Sequence, residues 1–403
     1  MVISIMKEKN GTLRSIVMIK INRIRNILIV LLSLLLVVSC EPKDKFEWNA
    51  AWSAPKFYGN GGPFVEFFYR GKSIAGASAS IGADPGWGTT SGSYAGGDIF
   101  KPVPDSISVK WICAIDGYRY EGGSRLPQDK MLSLFRNGWN SKGEKENYTQ
   151  IIAGFAPGGN VTVWVSGQGN NKEIINFKAK NKGVWKESEE AEKIEKEILS
   201  SEKFINSEVN IYRYLHGIPY SAWEKGDKQY KYDLGFSSEE DYKYSITYYS
   251  KDGSVYFLDS TPYFLKWSNR FIDYPKNPNE SHQLKLPVQM DLIWHSYDNE
   301  SRWFEGNVVL PQNLQATFEK GHYDRMIVTI PKDTGGDFVN GVIYFVNKQK
   351  QDQVMRFRLG RFNDEQKKLM SPKYTLPKGF VVPKWEGRIP LKKPTDLEYW
   401  QEE

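Results

Sequence analysis

The feature that most constrains this chain is an internal repeat with fixed spacing. Pro104 is followed seven residues later by Trp111, and Pro287 is followed at the same interval by Trp294. In both places an arginine stands eight residues after the tryptophan. A Leu-Pro-Gln triplet then begins 15 residues after Trp111 and 16 residues after Trp294. An ordered series of this kind predicts that one structural unit is present twice.

The repeat continues through the rest of each unit. The matching features are a tyrosine, a glycine pair, an apolar run and an alternating segment. They lie at Tyr148 and Tyr323, Gly158-Gly159 and Gly335-Gly336, Val161–Val165 and Val342–Val346, and Ile175–Ala179 and Met355–Leu359. The chain is therefore expected to hold two β-rich repeat domains, residues 46–182 and 229–365.

Each unit has the pattern of strands with one short helix. Ile107, Val109, Trp111 and Cys113 alternate with other residues, the two-residue period of a half-buried strand. We therefore expect both Trp111 and Trp294 to point inward. The Leu-Pro-Gln triplets favour helix starts, because proline suits the first helical position. The predicted fold class is α+β, predominantly antiparallel β, with one short helix in each domain.

The segments outside the repeats have different compositions. Residues 183–228 are rich in charge and predict a helical linker whose apolar face is narrow. Residues 366–403 form a Pro-rich C-terminal tail, and five prolines between Pro372 and Pro394 argue against a regular helix or a central strand there.

Residues 1–39 have the pattern of a secretion signal that is removed from the mature protein. A basic stretch precedes the 12-residue apolar run Ile27–Val38, and Cys40 follows directly after Ser39. The run is shorter than the roughly 20 residues that a membrane-spanning helix needs, so an uncleaved anchor is the less favoured alternative. Met18 offers a later start that would give a signal of ordinary length, and the choice between Met1 and Met18 stays open.

The end of this signal, Leu36-Val37-Val38-Ser39-Cys40, resembles the lipobox of bacterial lipoproteins. In that class a signal peptidase cuts before the cysteine, whose thiol carries a diacylglycerol. The resemblance implies lipid attachment at Cys40, with residues 40–45 as a tether and acyl chains such as palmitate as the membrane anchor. The expected location is the cell envelope, on the outer membrane, with the face left open.

Removal of the signal changes the charge argument. The full chain has 54 Lys and Arg against 48 Asp and Glu, but residues 1–40 contain six of the basic residues and one of the acidic residues. The mature chain is therefore close to neutral, with a net charge of +1. The basic pI is no evidence for nucleic acid, and we expect no nucleic-acid partner.

Around Trp111 and Trp294 the sequence resembles a bacterial lipoprotein family called domain of unknown function 2931. The features that carry the resemblance are the lipobox, a proline, a strand that ends in Trp, a following aromatic residue and a Leu-Pro pair. It covers roughly residues 46–180 and again 240–362. The family has no established activity, so the resemblance implies no catalytic residues.

The sequence contains few residues in patterns that indicate catalysis. None of the four histidines, His216, His282, His295 and His322, stands at metal-ligand spacing, and His295 and His322 are expected on the surface. Cys113 is expected to be a buried thiol rather than a nucleophile. The Gly-rich stretches at 82–88 and 167–169 lack the context of a phosphate-binding loop. We therefore predict no catalytic residue, no metal and no cofactor.

Aromatic residues in loop-like surroundings are the remaining functional indication. Exposed rings stack on sugars or form protein interfaces, whereas buried rings cap a core, which is the commoner role. The candidates are Trp87, Tyr94, Trp139, Trp223 and Trp267.

Together these features predict a lipid-anchored envelope protein that is a non-enzymatic binding or interaction module. Its expected partners are membrane lipid, through Cys40, and an envelope protein or glycan. Two alternatives remain open. One is an immunity-type lipoprotein that neutralises a periplasmic toxin, and the other is an envelope glycan or peptide hydrolase with two converging carboxylates. The ligand-binding residues are left unknown.

Overall fold

A computed structural model describes the larger part of the chain. The described residues are 44–80, 82–90, 93–94, 97–141, 143–167, 170–186, 188–201, 204, 207–238, 242–259, 283–296, 302–332, 335–361 and 374–375. Residues 1–39, which are predicted to be a secretion signal, Cys40, His282 and Trp267 lie outside this set.

The first half contains fourteen described strands, one α-helix and a 3₁₀ turn at Pro157–Gly159. The strands are β1 (Lys45–Glu47), β2 (Asn49–Ser53), β3 (Asn60–Tyr69), β4 (Lys72–Ser78), β5 (Ser93–Tyr94), β6 (Phe100–Pro102), β7 (Ser106–Cys113), β8 (Tyr118–Arg125), β9 (Trp139–Ser141), β10 (Glu144–Glu146), β11 (Gln150–Ala156), β12 (Asn160–Gly167), β13 (Asn170–Lys178) and β14 (Lys180–Val184). Helix α1 (Gln128–Asn137) follows β8.

The remaining described elements begin with three helices and continue with strands around one further helix. The helices are α2 (Glu189–Ser200), α3 (Glu208–His216), α4 (Tyr220–Lys225) and α5 (Leu314–Gly321). The strands are β15 (Gln229–Lys231), β16 (Asp233–Ser238), β17 (Tyr242–Ser250), β18 (Val255–Asp259), β19 (Gln283–Lys285), β20 (Pro287–Ser296), β21 (Arg302–Val309), β22 (Arg325–Ile330), β23 (Phe338–Val346), β24 (Gln351–Arg361) and β25 (Tyr374–Thr375).

The first half forms two five-stranded sheets. Their orders are β13-β12-β11-β2-β5 and β14-β8-β7-β3-β4. Strands β2 and β11 run parallel, and the other pairs whose register is described in these two sheets are antiparallel. Inward residues of both sheets join one core, which contains Phe67, Trp111 and Phe155. The rings of Trp111 and Phe155 stack with centroids 5.0 Å apart and an angle of 29° between their planes, and they link the two sheets.

The second half repeats this order in one continuous path, β16-β22-β23-β24-β21-β20-β17-β18. Strands β16 and β22 run parallel, as β2 and β11 do. Strand β24 continues past β23 and pairs with β21 through Phe304 and Arg361, which joins the two segments of the path. A second core, around Trp294, Phe304 and Phe345, fills this half.

The correspondence extends to irregular features. A register shift interrupts the β12–β13 pairing between Val163 and Trp164, and the β23–β24 pairing between Ile343 and Tyr344. Each bulge therefore lies at the same place in its hairpin. The strand pair β1–β6 in the first half has a counterpart, β15–β19, in the second.

The side chains that seal these small strand pairs also correspond. Trp48 donates its indole N–H to the carbonyl of Pro102 (3.3 Å). In the second half Tyr232 donates its hydroxyl to the carbonyl of Lys285 (3.0 Å). Both rings are fully buried. The same hydrogen bond across the same strand pair is thus made by two different aromatic residues.

The strand predictions are confirmed. Ile107, Val109, Trp111 and Cys113 are buried while their neighbours are less so, and Trp294 is also fully buried. The predominantly antiparallel β fold with few short helices agrees with the predicted class. Helix α1 begins directly after Pro127, whereas α5 begins at Leu314, three residues beyond Pro311. Pro127 is the N-cap of α1 and Asn313 is the N-cap of α5, so neither proline occupies the first helical position that the sequence pattern predicted.

The segment between the halves has two parts. Helix α2 buries none of its side chains, as its charge-rich sequence indicates. Helices α3 and α4, by contrast, contribute the buried rings of Tyr212 and Trp223 to the first core. At Tyr374–Thr375 the C-terminal tail adds a short parallel strand beside β21.

Candidate functional site

Three of the five aromatic candidates from the sequence are buried or half-buried, and the side chains of the other two lie outside the described set. Trp87 and Trp223 are buried in the first core, and Trp139 is half-buried against it. Tyr94 lies in the short strand β5, but its side chain lies outside the described set, as does Trp267. The rings of Trp87 and Trp223 therefore act as core residues and offer no face to a ligand.

One histidine prediction is wrong. His295 is buried, not on the surface, and its ring stacks on Trp303 with centroids 4.1 Å apart. Strand β20 is covered on both faces, since Gln289 and Asp291 on the face opposite Trp294 are buried as well. His322 is exposed, as predicted.

Cys113 has the environment expected of a small buried residue. Its side chain lies in the first core, and burial, followed by the nearby Asp116 carboxylate, raises the pKa of its thiol well above the usual value. A thiol held in its protonated form is a poor nucleophile, so this position supports packing.

A candidate site among the described residues is a groove in the second half, with a volume of about 610 Å³. Sites for small ligands commonly have volumes in this range. We call this feature the second-half groove. Its lining residues come from five strands and are Asp233, Gly235, Phe236, Ser237, Tyr244, Arg325, Ile327, Thr329, Tyr344 and Gln351.

The groove floor follows from the two-residue period of parallel strands β16 and β22. Met326 and Val328 point into the core, so the residues between them on β22 face the other side. Register then places Asp233 beside Arg325 and Gly235 beside Ile327. Gly235 contributes no side chain to the floor at that pair.

Hydroxyl groups and rings complete the lining. Ser237 and Thr329 share a hydrogen bond of 2.8 Å between their hydroxyl oxygens. The rings of Phe236 and Tyr244 are stacked, with centroids 4.1 Å apart and an angle of 18° between their planes. Tyr344 lies opposite Ile327 in the β22–β23 pairing and is half-buried. The lining thus combines flat rings with charged, amide and hydroxyl groups.

In the first half the equivalent sheet face is filled. Trp164, the first residue after the β12 bulge, contacts Trp87 edge-to-face at 5.0 Å. Gly154 makes room for this pair, because a Cβ there would lie 2.5 Å from the Trp164 ring and 2.7 Å from the Trp87 ring. Asn171 donates a hydrogen bond of 2.6 Å to the carbonyl of Gly88 and holds the covering segment in place.

The most strongly perturbed carboxyl groups lie away from the groove. Asp291 is buried and accepts hydrogen bonds from Tyr249 (2.6 Å), Gln289 (3.2 Å) and Asn307 (2.5 Å). Burial raises its pKa to about 7. Since its oxygens are occupied by internal donors, Asp291 organises the sheet and is not presented to a ligand.

A known family model matches the N-terminal part of the chain. Residues 38–221 match the model of the family described as Protein of unknown function (DUF2931). The predicted resemblance is thereby supported over this segment, which ends within α4. Neither a curated protein nor a solved structure matches the chain.

Among the described residues, no helix combines the length and the apolar character needed to cross a membrane. Within the same part of the chain, no three His, Cys, Asp or Glu residues are grouped so that they could bind a metal ion.

The groove residues were not predicted from the sequence because they lie on strands, whereas the predicted candidates are aromatic residues in loop-like segments. A signal was present in the repeat itself. Aligning Tyr148 with Tyr323 places Thr329 opposite Gly154, and the bulges in the structure place Tyr344 opposite Trp164. Positions where the two halves differ in side-chain size and polarity indicate where their surfaces differ.

Proposed function

We propose that this protein is a lipid-anchored binding protein of the bacterial cell envelope, and that the second-half groove binds a glycan. The single observation that carries the ligand assignment is the lining of the groove, in which planar rings stand beside charged, amide and hydroxyl side chains. The anchor and the tandem arrangement are separate parts of the proposal.

The anchor is proposed to be the diacylglycerol on Cys40. Its support is the lipobox-like order of residues Leu36–Cys40 after a basic stretch and an apolar run. A single acyl chain binds membranes only marginally, so stable attachment requires the several chains that lipoprotein maturation supplies. Replacing Cys40 by Ala should release the protein from membranes and abolish labelling by a fatty-acid analogue. Membrane retention of the variant would contradict the anchor.

The second half is proposed to be a second copy of the unit whose first copy matches the family model. Three independent features support this proposal. They are the Pro-to-Trp spacing, the shared strand order with one parallel pair, and the bulges before Trp164 and Tyr344. If the unit was duplicated, one copy has kept its outer face filled by Trp87 while the other has acquired a groove there.

A glycan fits the groove chemistry better than a purely apolar ligand. The C–H faces of a sugar ring pack on an aromatic face such as that of Tyr344, and sugar hydroxyls pair with planar side chains such as those of Arg325 and Gln351. Of the ten lining residues, only Asp233 carries a carboxylate. Glycoside hydrolysis ordinarily requires two, so this lining favours binding over cleavage.

The test is glycan binding by the mature chain with Cys40→Ala, measured by calorimetry against peptidoglycan fragments and envelope polysaccharides. Tyr344→Ala should weaken binding at least about tenfold, equivalent to about 1.4 kcal/mol, whereas Tyr344→Phe should retain the stacking face and most of the affinity. Tyr220→Ala removes a partly exposed tyrosine that is not part of the lining and serves as the matched control. Equal affinities for Tyr344→Ala and wild type, or no glycan binding at all, would overturn the assignment.

A further inference from the structure

The most exposed large apolar side chain among the described residues is Ile99, with 69% of its surface accessible, and its neighbour Phe100 is 57% accessible. Two adjacent side chains of this size on a surface mark a contact with an apolar partner more often than a single one does. We call this pair the β6 tip, because Phe100 begins strand β6.

The β6 tip is fixed to the fold by the residue that follows it. Lys101, the next residue, is buried, and its ammonium group donates a hydrogen bond of 2.6 Å to the carbonyl of Asp98. The same ammonium group lies 5.2 Å from the centre of the Trp48 ring, and Trp48 donates a hydrogen bond to Pro102. With Lys101 fixed inward, the strand period directs Phe100 outward.

The position of the β6 tip in the chain identifies its partner. Strand β6 pairs with β1, which contains Phe46. Only five residues separate Phe46 from Cys40, and an extended chain spans about 3.5 Å per residue, so the connecting chain can be no longer than about 20 Å. The paired strand is only about 4.8 Å further away.

We infer that the β6 tip inserts into the bilayer surface beside the lipid anchor and thereby fixes the orientation of the protein on the membrane. This inference rests on the proposed acylation of Cys40. Aromatic and aliphatic side chains are favoured at the boundary between headgroups and acyl chains, where they leave water without crossing the membrane. The other exposed apolar residues, such as Phe338, lack this connection to the anchor.

The experiment uses the lipidated protein on phosphatidylcholine vesicles, with a nitroxide label at Ile99→Cys and, in separate samples, at Phe100→Cys and Phe338→Cys. Phe338 is the matched control, because it is 56% accessible and lies in the second half. Cys113 is buried, and labelling of the wild-type chain measures its background. Collision of the label with oxygen, which concentrates in lipid, is compared with collision with a water-soluble nickel complex.

On vesicle binding, the ratio of oxygen to nickel collisions should rise by about threefold or more at positions 99 and 100 and stay unchanged at 338. Equal water accessibility at all three positions on vesicles would overturn the inference. So would protection of positions 99 and 100 in the Cys40→Ala chain without vesicles, since that result indicates contact between copies of the chain. Mass spectrometry of the N-terminal peptide shows whether Cys40 carries acyl chains. If it carries none, the proposed anchor is wrong, and the inference that depends on it is wrong as well.

Discussion

Trp164 and Tyr344 are each the first residue after the same β-bulge in the two halves, yet they have opposite surroundings. Trp164 is 7% accessible and packs against the edge of Trp87. Tyr344 is half-buried and lines the second-half groove. One position in the unit therefore serves packing in one half and is available for binding in the other.

This relationship predicts unequal costs of truncation. Trp164→Ala should lower the free energy of unfolding by about 3 to 5 kcal/mol, because it removes a large ring from a filled site. Tyr344→Ala should cost about 1 kcal/mol or less, since its ring already contacts solvent. Urea unfolding of the two variants checks this expectation. Equal losses would mean that the Tyr344 ring is as firmly packed as that of Trp164.

The fold was largely predictable because the determining signals are local and occur twice. Alternation around Trp111 and Trp294 indicates strands whatever their partners are, and the Leu-Pro-Gln triplets indicate helices nearby. Strand order was not predictable, since the parallel pairing of β2 with β11 joins residues about 100 positions apart.

The candidate site was less predictable, because a groove depends on what covers a sheet face. The sequence around Trp87 resembles an exposed loop, yet Trp164 and Gly154 provide a place for its ring. His295 follows the inward Trp294, so simple alternation places it in solvent. Its burial depends on tertiary contacts on the second face of β20, which no local pattern reports.

The two repeat tryptophans should be essential to their own halves. Trp111 is stacked between Tyr120 and Phe155, with 5.0 Å between ring centres in each case, and Trp294 is fully buried beside Phe304. Trp111→Ala and Trp294→Ala should each cost about 3 to 5 kcal/mol of unfolding free energy. Calorimetric melting would show this loss, and wild-type melting of either variant would contradict its role as a core anchor.

A buried ion pair between Lys285 and Asp252 should be costly to break. Burial disfavours the ammonium group, but the Asp252 carboxylate outweighs it and raises the pKa of Lys285 above its usual value. Asp252 also accepts a hydrogen bond of 2.8 Å at its carbonyl from Trp223, so the pair lies where α4 meets the second half.

Lys285→Met should therefore destabilise the protein by about 3 to 5 kcal/mol, because it leaves the Asp252 carboxylate buried without its cation. The double variant Lys285→Met/Asp252→Asn removes both charges and should recover part of this loss. Chemical denaturation of the single and double variants measures the coupling. A double variant that loses the sum of both single effects would contradict a direct interaction.

Asp291 should make stability fall as pH rises. Burial raises its pKa from 3.8 to about 7, so between these values the folded chain retains a proton that the unfolded chain has released. The folded state then binds more protons, and the free energy of unfolding decreases from about pH 4 to about pH 7. Each pKa unit corresponds to about 1.4 kcal/mol, so the change is on the order of a few kcal/mol.

Asp291→Asn should flatten this dependence, because the amide does not titrate. The measurement is the melting temperature at pH 5 and pH 7.5 for wild type and variant. Glu173→Gln, which alters an exposed carboxyl, is the control and should keep the wild-type slope. An unchanged slope in Asp291→Asn would assign the pH dependence to other groups, such as Glu208, whose pKa burial also raises.

Gly253 should be the most sensitive point where the second half contacts the first. Its carbonyl accepts hydrogen bonds from the backbone N–H groups of Lys56 (3.1 Å) and Trp87 (2.8 Å). Its φ is +76°, and a Cβ there would lie 2.6 Å from the Cβ of Pro55. Gly253→Ala therefore adds a steric clash to the strain of positive φ.

Gly143 also has positive φ, +89°, but has open space around it, so Gly143→Ala reports the strain alone. Gly253→Ala should lose about 2 kcal/mol more unfolding free energy than Gly143→Ala, and faster proteolysis between the halves should accompany the loss. Equal losses for the two variants would mean that the contact with Pro55 adjusts at no cost.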